Sequence, residues 1–225
     1  MTATALIIPA LNEAACIGPL LGELPPDVAS EVIVVDNGSS DDTAGEAARS
    51  GARVVQESRR GYGYACAAGV AATTASLLAF MDGDGSFVPA ELPALVAPIR
   101  VNDADLVMGT RLRGGMTPGA MPVHQRLGNQ FIAGLLRWRF GLPVTDLGPF
   151  RVIRRSLLLD LDMQERTYGW PVEMLIKAAR QQARIVEIPV SYRPRQGGQS
   201  KVGGSLTGTI RATYRILRVM LRYAR

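Results

Sequence analysis

The sequence predicts an α/β fold: a mostly parallel, Rossmann-like sheet flanked by helices and followed by an amphipathic C-terminal helix. Short apolar runs alternate with helical patterns through the first half of the chain, as they do in doubly wound folds. Acidic residues follow several of these runs, at the sheet edge where open parallel sheets bind ligands. Residues 206–225 show a helical pattern that contains no proline and no acid.

The first half of the chain is predicted to alternate strands with helices. Apolar runs bounded by turn residues predict the strands, and the second strand ends in the turn Asn37–Ser40, which can cap the helix after it. The predicted strands span 5–9, 31–36, 53–56, 76–82 and 104–109, and the predicted helices span 41–50, 61–75 and 89–100. This alternation implies right-handed crossovers between parallel strands.

The regular alternation ends near Gly109. Residues 110–124 form a basic loop rich in glycine and proline, and loops of this length are usually functional or disordered. The remaining predicted elements are a helix at 125–140, a strand at 151–153, a helix at 171–182, a strand at 185–190, a basic glycine-rich loop at 193–204 and a helix at 206–225.

Composition narrows the classes of function. The chain has 225 residues, which suits one domain, and a net charge of +5. Cys16 and Cys66 are its only cysteines, so no disulfide framework is expected and a reducing cytoplasm is the default. His124 is the only histidine, which excludes a multi-histidine metal site. The sequence shows no signal peptide and no apolar run long enough to span a membrane.

Acidic residues are predicted to meet at one edge of the sheet. Glu13 lies just after the first strand, Asp36 ends the second, and Asp82 and Asp84 follow the fourth. Two carboxylates on a glycine-rich turn can reach one hard cation such as Mg²⁺, which is bound by one or two carboxylates together with substrate phosphates and water. Ordinary turn chemistry after a strand is the alternative explanation. An EF-hand calcium loop is disfavoured because its downstream glutamate is missing.

Eight segments carry a resemblance to a known family. They are IIPALNE (7–13), VVDNGSSDDT (34–43), RGYGYACAAG (60–69), MDGDGS (81–86), GTR (109–111), TDLGPFRVIRR (145–155), YGWPVEMLIKA (168–178) and EIPVSYRPRQGGQSK (187–201). With these motifs in family order, the chain resembles the family-2 glycosyltransferases with the GT-A fold, and especially the polyprenyl-phosphate sugar synthases of the dolichyl-phosphate mannose synthase type. The resemblance implies a single GT-A domain with a nucleotide-binding half at 1–109, an acceptor half at 110–204 and a basic C-terminal helix at 205–225.

The resemblance implies a role for each matching residue. The residues implied to contact the nucleotide-sugar donor are Pro9, Asn12, Glu13, Asp36 and Asp82. An ion of Mg²⁺ or Mn²⁺ would be held by Asp82 and by Asp84, the principal ligand. The residues implied to meet donor or acceptor phosphates are Arg111, Arg151, Arg195, Ser200 and Lys201. The implied catalytic set is Asp84, Arg111, Asp146 and Glu173.

Two positions depart from the family pattern, and two acids have structural alternatives. Asn37 stands where the family often has Asp. Ser86 stands where the lipid-phosphate synthases often have Gln, and its shorter side chain bears on the metal geometry and on the acceptor class. Asp146 could instead cap a turn, and Glu173 could pair with Lys177 at i,i+4.

The implied reaction transfers a sugar from a UDP- or GDP-linked donor with inversion at the anomeric carbon. A polyprenyl-phosphate acceptor is already an anion and needs little deprotonation. A soluble hydroxyl acceptor, the alternative, needs a general base, for which Asp146 and Glu173 are candidates. A nucleotidyltransferase is less favoured because Pro9–Glu13 replaces the glycine-rich basic loop expected after its first strand. No nucleic-acid partner is expected, because neither a recognised module nor a basic patch interleaved with aromatics is evident.

The C-terminal helix carries a basic face beside an apolar face. The basic positions are Arg211, Arg215, Arg218, Arg222 and Arg225, and the apolar ones are Leu206, Ile210, Tyr214, Leu217 and Leu221. Such a helix can lie in a membrane interface near a lipid-linked acceptor, or it can pack its apolar side on the domain. The expected location is the cytoplasm and, if the helix lies in a membrane interface, the inner face of the membrane. Trp138 and Trp170 are expected to serve packing, and the alternative for Trp170 is a place in the wall of an acceptor site.

Overall fold

A computed structural model describes residues 3–197 and 206–224, with side chains from Ala212 onward in the second range. The strands that it describes form one sheet: β1 (Thr4–Ala10), β2 (Glu31–Asp36), β3 (Arg53–Gln56), β4 (Leu77–Phe80), β5 (Leu106–Thr110), β6 (Arg151–Arg154) and β7 (Ile185–Pro189). Their order across the sheet is β3-β2-β1-β4-β6-β5-β7. Every pairing is parallel except those of β6, which runs antiparallel to both β4 and β5.

Helices cover both faces of this sheet. They are α1 (Ala14–Gly22), α2 (Thr43–Arg49), α3 (Tyr62–Ala71), α4 (Leu92–Arg100), α5 (Val123–Phe140), α6 (Arg155–Asp160), α7 (Trp170–Arg180) and α8 (Leu206–Arg222). The predicted α/β class, the mostly parallel sheet and the C-terminal helix are confirmed. Within the described ranges, none of the helices combines the length and the apolar character needed to cross a membrane.

Strand alternation divides the core into two apolar layers. In β1, Ala5 and Ile7 face one layer, whereas Leu6 and Ile8 face the other, as the two-residue period of a strand requires. The first layer packs under α3, α5, α6, α7 and α8. The second packs under α1, α2 and α4. Because the central strands are buried on both faces, they read in the sequence as continuous apolar runs.

Three features of the fold were not predicted. Helix α1 has only nine residues and contains Pro19 and two glycines, so its helical pattern is weak. Helix α6 has six residues, too few to show a helical period. The reversed direction of β6 depends on the path of the chain after α5, which local sequence patterns do not encode.

Asp105 ties together three strands at the edge of the sheet where β5 begins. Its carboxylate accepts hydrogen bonds from Arg154 Nε at 3.1 Å and from Arg184 Nε at 3.0 Å, next to β6 and β7 respectively. Hydrogen bonds from Arg184 hold the pKa of Asp105 well below its usual range, although partial burial opposes the shift. This network fixes the end of the sheet opposite the candidate site.

Candidate active site

A cleft of about 470 Å³ opens at the edge of the sheet where β1, β2, β4 and β5 end. Ligands of open parallel sheets bind at this edge. The cleft is lined by Pro9, Ala10, Leu11, Glu13, Asn37, Arg60, Gly61, Tyr62, Ala65, Asp82, Gly83, Asp84, Arg111, Gln125, Thr167, Tyr168, Tyr192 and Arg195. The structure thus brings together Pro9, Glu13, Asp82, Asp84, Arg111 and Arg195 from the predicted site.

Asn12 and Asp36 organise the turn after β2 and are not among the residues that line the cleft. Asn12 has a φ of 52°, and its Oδ1 accepts a hydrogen bond from the Ser40 amide at 2.8 Å. Asp36 Oδ1 accepts one from the Ser39 amide at 3.0 Å. Both side chains therefore support the loop after β2, and their contacts with a nucleotide stay predictions.

Asn37 fastens the start of α3 to the end of β2. Its amide nitrogen donates to the carbonyl oxygens of Glu57 at 3.0 Å and Arg59 at 2.8 Å, and its Oδ1 accepts from the Gly61 amide at 2.8 Å. An aspartate could not make both donations, which accounts for the amide at this position.

The nearby Gly63 is required because a Cβ there would lie 2.6 Å from the carbonyl oxygen of Glu165.

Three acids and one arginine face each other on one wall of the cleft. Glu13 and Arg195 form an ion pair, and Arg195 Nη1 lies 3.5 Å from Asp84 Oδ2. Asp84 Oδ1 in turn accepts hydrogen bonds from Ser86 Oγ at 2.6 Å and from the Ser86 amide at 3.0 Å. Ser86 therefore orients Asp84, and the other carboxylate oxygen of Asp84, Oδ2, faces Arg195. The lipid-phosphate synthases often have Gln at the position of Ser86.

The pKa of Asp82, which lies near Asp84 and Glu13, is strongly shifted from its usual value. Shielding from solvent raises its pKa to about 7, and the charges of Asp84 and Glu13 add to that rise, while Arg111 and Arg151 oppose it. Among the described residues, no hydrogen-bond donor contacts its carboxylate. A cation bound beside Asp82 would remove the repulsion between these carboxylates.

The donor atoms fit a hard divalent cation that is shared with a substrate. Asp82 and Asp84 present carboxylate oxygens to one cleft. Over the part of the chain that the structure describes, no three metal-binding side chains converge as a preformed site. Mg²⁺ is commonly held by one or two carboxylates, with phosphate oxygens and water completing its octahedron. The residues present therefore suit an ion that arrives with a diphosphate.

Arg111 also lines the cleft, and hydrogen bonds to Asp146 hold its guanidinium in place. Its Nε and Nη2 donate to Asp146 at 2.8 and 2.7 Å, which forms a bidentate pair buried from solvent. Asn129 donates to the same carboxylate at 2.6 Å, and the guanidinium lies 5.0 Å from the ring centre of Tyr192. Burial alone would lower the pKa of Arg111, but the hydrogen bonds to Asp146 outweigh it and raise that pKa. Asp146 is thus the buried partner of Arg111, and its role as a general base stays a prediction.

Arg151 lies beneath the cleft and is not among its lining residues. Its guanidinium is fully buried and donates to the carbonyl oxygens of Gly148 at 2.7 Å and Pro171 at 3.0 Å. Burial lowers its pKa, and the charge of Asp82 is among those that oppose the shift. The structure therefore does not place Arg151 in contact with an acceptor phosphate. Its positive charge, buried below the residues that line the cleft, favours the ionised form of Asp82.

Glu173 also lies outside the cleft. Its buried carboxylate accepts hydrogen bonds from the amides of Gln164 and Glu165, from Tyr223 Oη at 2.6 Å and from Lys177 Nζ at 3.1 Å. Burial raises its pKa, but these donors outweigh burial and the net pKa is lowered. Glu173 thus anchors α7 to the preceding loop and to the residue after α8, as the i,i+4 alternative partly anticipated. Ser200 and Lys201 lie outside the described residues.

Sequence reasoning assigned no role to several residues that line the cleft. They are Arg60, Tyr62, Gln125, Tyr168 and Tyr192. Tyr62 both faces the cleft and packs edge-on against Trp170, with 6.3 Å between ring centres. Trp170 itself is buried in the core, as expected for a packing residue. Apart from Gln125, these residues lie within segments that carry the family resemblance, but the motifs do not show which side chains face the cleft.

Known proteins resemble this chain in sequence and in structure. The profile of the family described as glycosyl transferase family 2 matches residues 5–161. An uncharacterised glycosyltransferase of Mycobacterium tuberculosis is 46% identical over 211 residues, which cover 92% of this chain and 93% of that protein. An undecaprenyl-phosphate mannosyltransferase of Micrococcus luteus is 34% identical over 220 residues, which cover 90% and 88%.

A solved structure extends the comparison to the fold. Glucosyl-3-phosphoglycerate synthase of Mycobacterium tuberculosis superposes with a TM-score of 0.81 over 99% of this chain and 80% of that one, at 24% identity. Crystals of that enzyme contain UDP with Mn²⁺ or Mg²⁺. At this identity the likeness establishes the shared fold.

Proposed function

The chain belongs to glycosyl transferase family 2, and we propose that it transfers a sugar from a UDP- or GDP-linked donor to a polyprenyl phosphate, with Mg²⁺ or Mn²⁺ as cofactor. The observation that carries this proposal is the cleft in which Glu13, Asp82 and Asp84 lie together with the cations Arg111 and Arg195. The undecaprenyl-phosphate mannosyltransferase relative supports the lipid-phosphate acceptor. In this proposal the half at 1–109 binds the donor and the half at 110–204 meets the acceptor.

The donor diphosphate lies along the acidic wall in this proposal. Asp84, with Asp82, would hold the divalent ion, and a bound ion would supply positive charge beside the departing nucleoside diphosphate. Arg195 stands beside both Glu13 and Asp84, so it can exchange carboxylate contacts for phosphate contacts as the donor binds. Pro9 and Leu11 cover the apolar side of the same wall. Ser200 and Lys201 are proposed to add to the phosphate contacts.

The acceptor phosphate approaches from the side of Arg111. An oxygen of the acceptor phosphate forms a bond to the anomeric carbon, while the bond between that carbon and the diphosphate oxygen breaks. The electron pair of the broken bond leaves with the nucleoside diphosphate. Arg111 is held by Asp146 and stacked on Tyr192, so its charge is positioned before the acceptor arrives. Fixed cations of this kind are worth most where water is excluded.

The surroundings of Asp146 and Glu173, the two candidate general bases, favour an acceptor that is already ionised. Asp146 is paired with Arg111, and Glu173 is buried away from the cleft and accepts hydrogen bonds from four donors. A hydroxyl acceptor would need one of these carboxylates, or another, to remove a proton. A phosphate oxygen attacks without such a base. This contrast supports the lipid-phosphate acceptor over the soluble hydroxyl acceptor.

Transfer of label into lipid tests the proposed function. The purified chain would be incubated with labelled UDP- or GDP-hexoses, Mn²⁺ and detergent-dispersed undecaprenyl phosphate. We expect label to enter the organic phase in a product that mild acid releases, because sugar phosphodiesters of lipids are acid-labile. Undecaprenol, which lacks the phosphate, should accept no label. Equal transfer to undecaprenol, or label found only on soluble hydroxyl compounds, would contradict the phosphate acceptor.

A further inference from the structure

The outer face of α5 exposes a row of large apolar side chains. Val123, Leu127, Phe131 and Trp138 are between 60 and 81% exposed. They recur at intervals of four, four and seven residues, which places them on one side of the helix. Scattered exposed apolar residues are normal on a protein surface, but a contiguous row indicates an interaction surface. The packing role expected for Trp138 is therefore wrong.

This row is separate from the face by which α5 packs on the domain. Ile132, Ala133 and Leu136 point the other way and are buried in the core layer shared with α7 and α8. The helix is thus apolar on two opposite sides. Only one of these sides is covered by the described residues.

The charge around the row has a single sign. Helix α5 contains no acidic residue, and its exposed arginines Arg126, Arg137 and Arg139 flank the apolar row. Helix α8, which packs against α5 and α7, also has no acidic residue. Its outer side exposes Tyr214 and Leu221, at 62 and 74%, among Arg215, Arg218 and Arg222. We call these exposed residues of the two helices the basic-apolar surface.

We propose that the basic-apolar surface docks the protein on an anionic lipid bilayer. Apolar side chains surrounded by arginines suit the boundary between acyl chains and negative headgroups, because the apolar groups contact the acyl chains and the arginines contact the headgroups. The alternative occupant, a second copy of the chain, would bring arginine-rich helices with no acids into contact with each other, and like charges oppose that contact. Helix α8 also packs on the domain, because Ala212, Val219 and Met220 on its inner side are buried.

Docking on this surface would also orient the cleft. Gln125, in the first turn of α5, lines the cleft, and Asn129 in the next turn holds Asp146, the partner of Arg111. Because Gln125 and Asn129 lie on the side of α5 away from the apolar row, a bilayer against that row would lie across the helix from Arg111, at a distance of about one helix diameter, roughly 10 Å. This orientation, unlike the docking itself, rests on the proposed lipid-phosphate acceptor.

The fluorescence of Trp138 tests the docking directly. The chain has two tryptophans, and Trp170 is buried in the core, so a change on adding vesicles reports Trp138. With vesicles of phosphatidylglycerol and phosphatidylcholine at low salt, we expect a blue shift of emission and protection from iodide quenching. Vesicles of phosphatidylcholine alone should give neither effect. Phe131→Ser/Trp138→Ser should weaken cosedimentation with the anionic vesicles by about tenfold or more, since two large apolar groups lose their burial.

A matched control uses two exposed apolar residues elsewhere. Val101→Ser/Leu159→Ser removes side chains that are 67 and 55% exposed, at the end of α4 and in α6, and it should leave cosedimentation unchanged. Vesicle binding that leaves Trp138 open to iodide would overturn the proposal. So would protection of Trp138 that grows with protein concentration in the absence of vesicles, since it would identify a self-association surface. UDP and GDP binding, measured by thermal shift on the same samples, reports separately on the proposed function.

Discussion

Asp84→Asn is expected to lower sugar transfer by at least about a thousandfold, which corresponds to roughly 4 kcal/mol of lost transition-state stabilisation. The amide keeps the shape of the carboxylate but cannot neutralise a divalent ion. Ser86 can still hydrogen-bond to the remaining amide oxygen, so the turn should keep its conformation. Turnover would be measured with saturating donor and acceptor over a range of Mn²⁺ concentrations.

The control for this variant is Asp103→Asn, an exposed aspartate at the end of the sheet opposite the cleft. It should retain full turnover, and both variants should unfold at the wild-type temperature. Residual activity of Asp84→Asn near the wild-type value would mean that Asp84 is not the principal ligand. Full turnover of the wild type in excess chelator would remove the metal from the mechanism.

The second large effect is expected at Asp146, because its loss leaves Arg111 buried without its partner. Removing one member of a buried, hydrogen-bonded ion pair costs about 3–5 kcal/mol. For a chain of this size such a loss lowers Tm by on the order of 10 °C. Asp146→Ala should therefore be strongly destabilised in thermal unfolding, and its transfer activity should fall because Arg111 is no longer held toward the cleft.

A double variant separates the two consequences. Arg111→Met/Asp146→Leu replaces the buried pair by apolar groups of similar volume, which is often neutral for stability. It should recover at least half of the stability that Asp146→Ala loses, yet remain inactive, because the cleft lacks the Arg111 cation. Asp42→Asn is the surface control: its partner Arg49 is exposed, so no measurable change is expected. An active double variant would show that Arg111 serves only the fold.

Local sequence patterns predicted much of the fold. Apolar runs marked every strand, because the central strands are buried on both faces and carry few polar residues. The acids Asp82 and Asp84 could be assigned to the cleft because strand ends and ligand sites coincide in parallel sheets. Helices α1 and α6 are too short to show a clear helical period in the sequence, and no local pattern encodes the reversed direction of β6.

The contacts of buried charges could not be predicted in the same way. Arg111 pairs with Asp146, and Glu173 with Tyr223, across 35 and 50 residues of sequence, so each pairing depends on the tertiary fold. Arg151 matched a family motif, but the motif does not reveal that its guanidinium is enclosed under the floor of the cleft. Trp138 was expected to be buried because tryptophan usually is, and only the orientation of α5 shows that it is exposed.

Calorimetric titration of nucleotides tests the central claim most directly. UDP and GDP would each be titrated into wild-type protein and into Asp84→Asn, with Mn²⁺ and with a chelator. We predict that one nucleotide binds the wild type at least about tenfold more tightly with the ion, and that Asp84→Asn shows the weak affinity under both conditions. At 100 times its Kd that nucleotide should stabilise the wild type by about 2.7 kcal/mol. Affinity that is unchanged by the chelator, or equal in the two proteins, would contradict a metal-held diphosphate at Asp84.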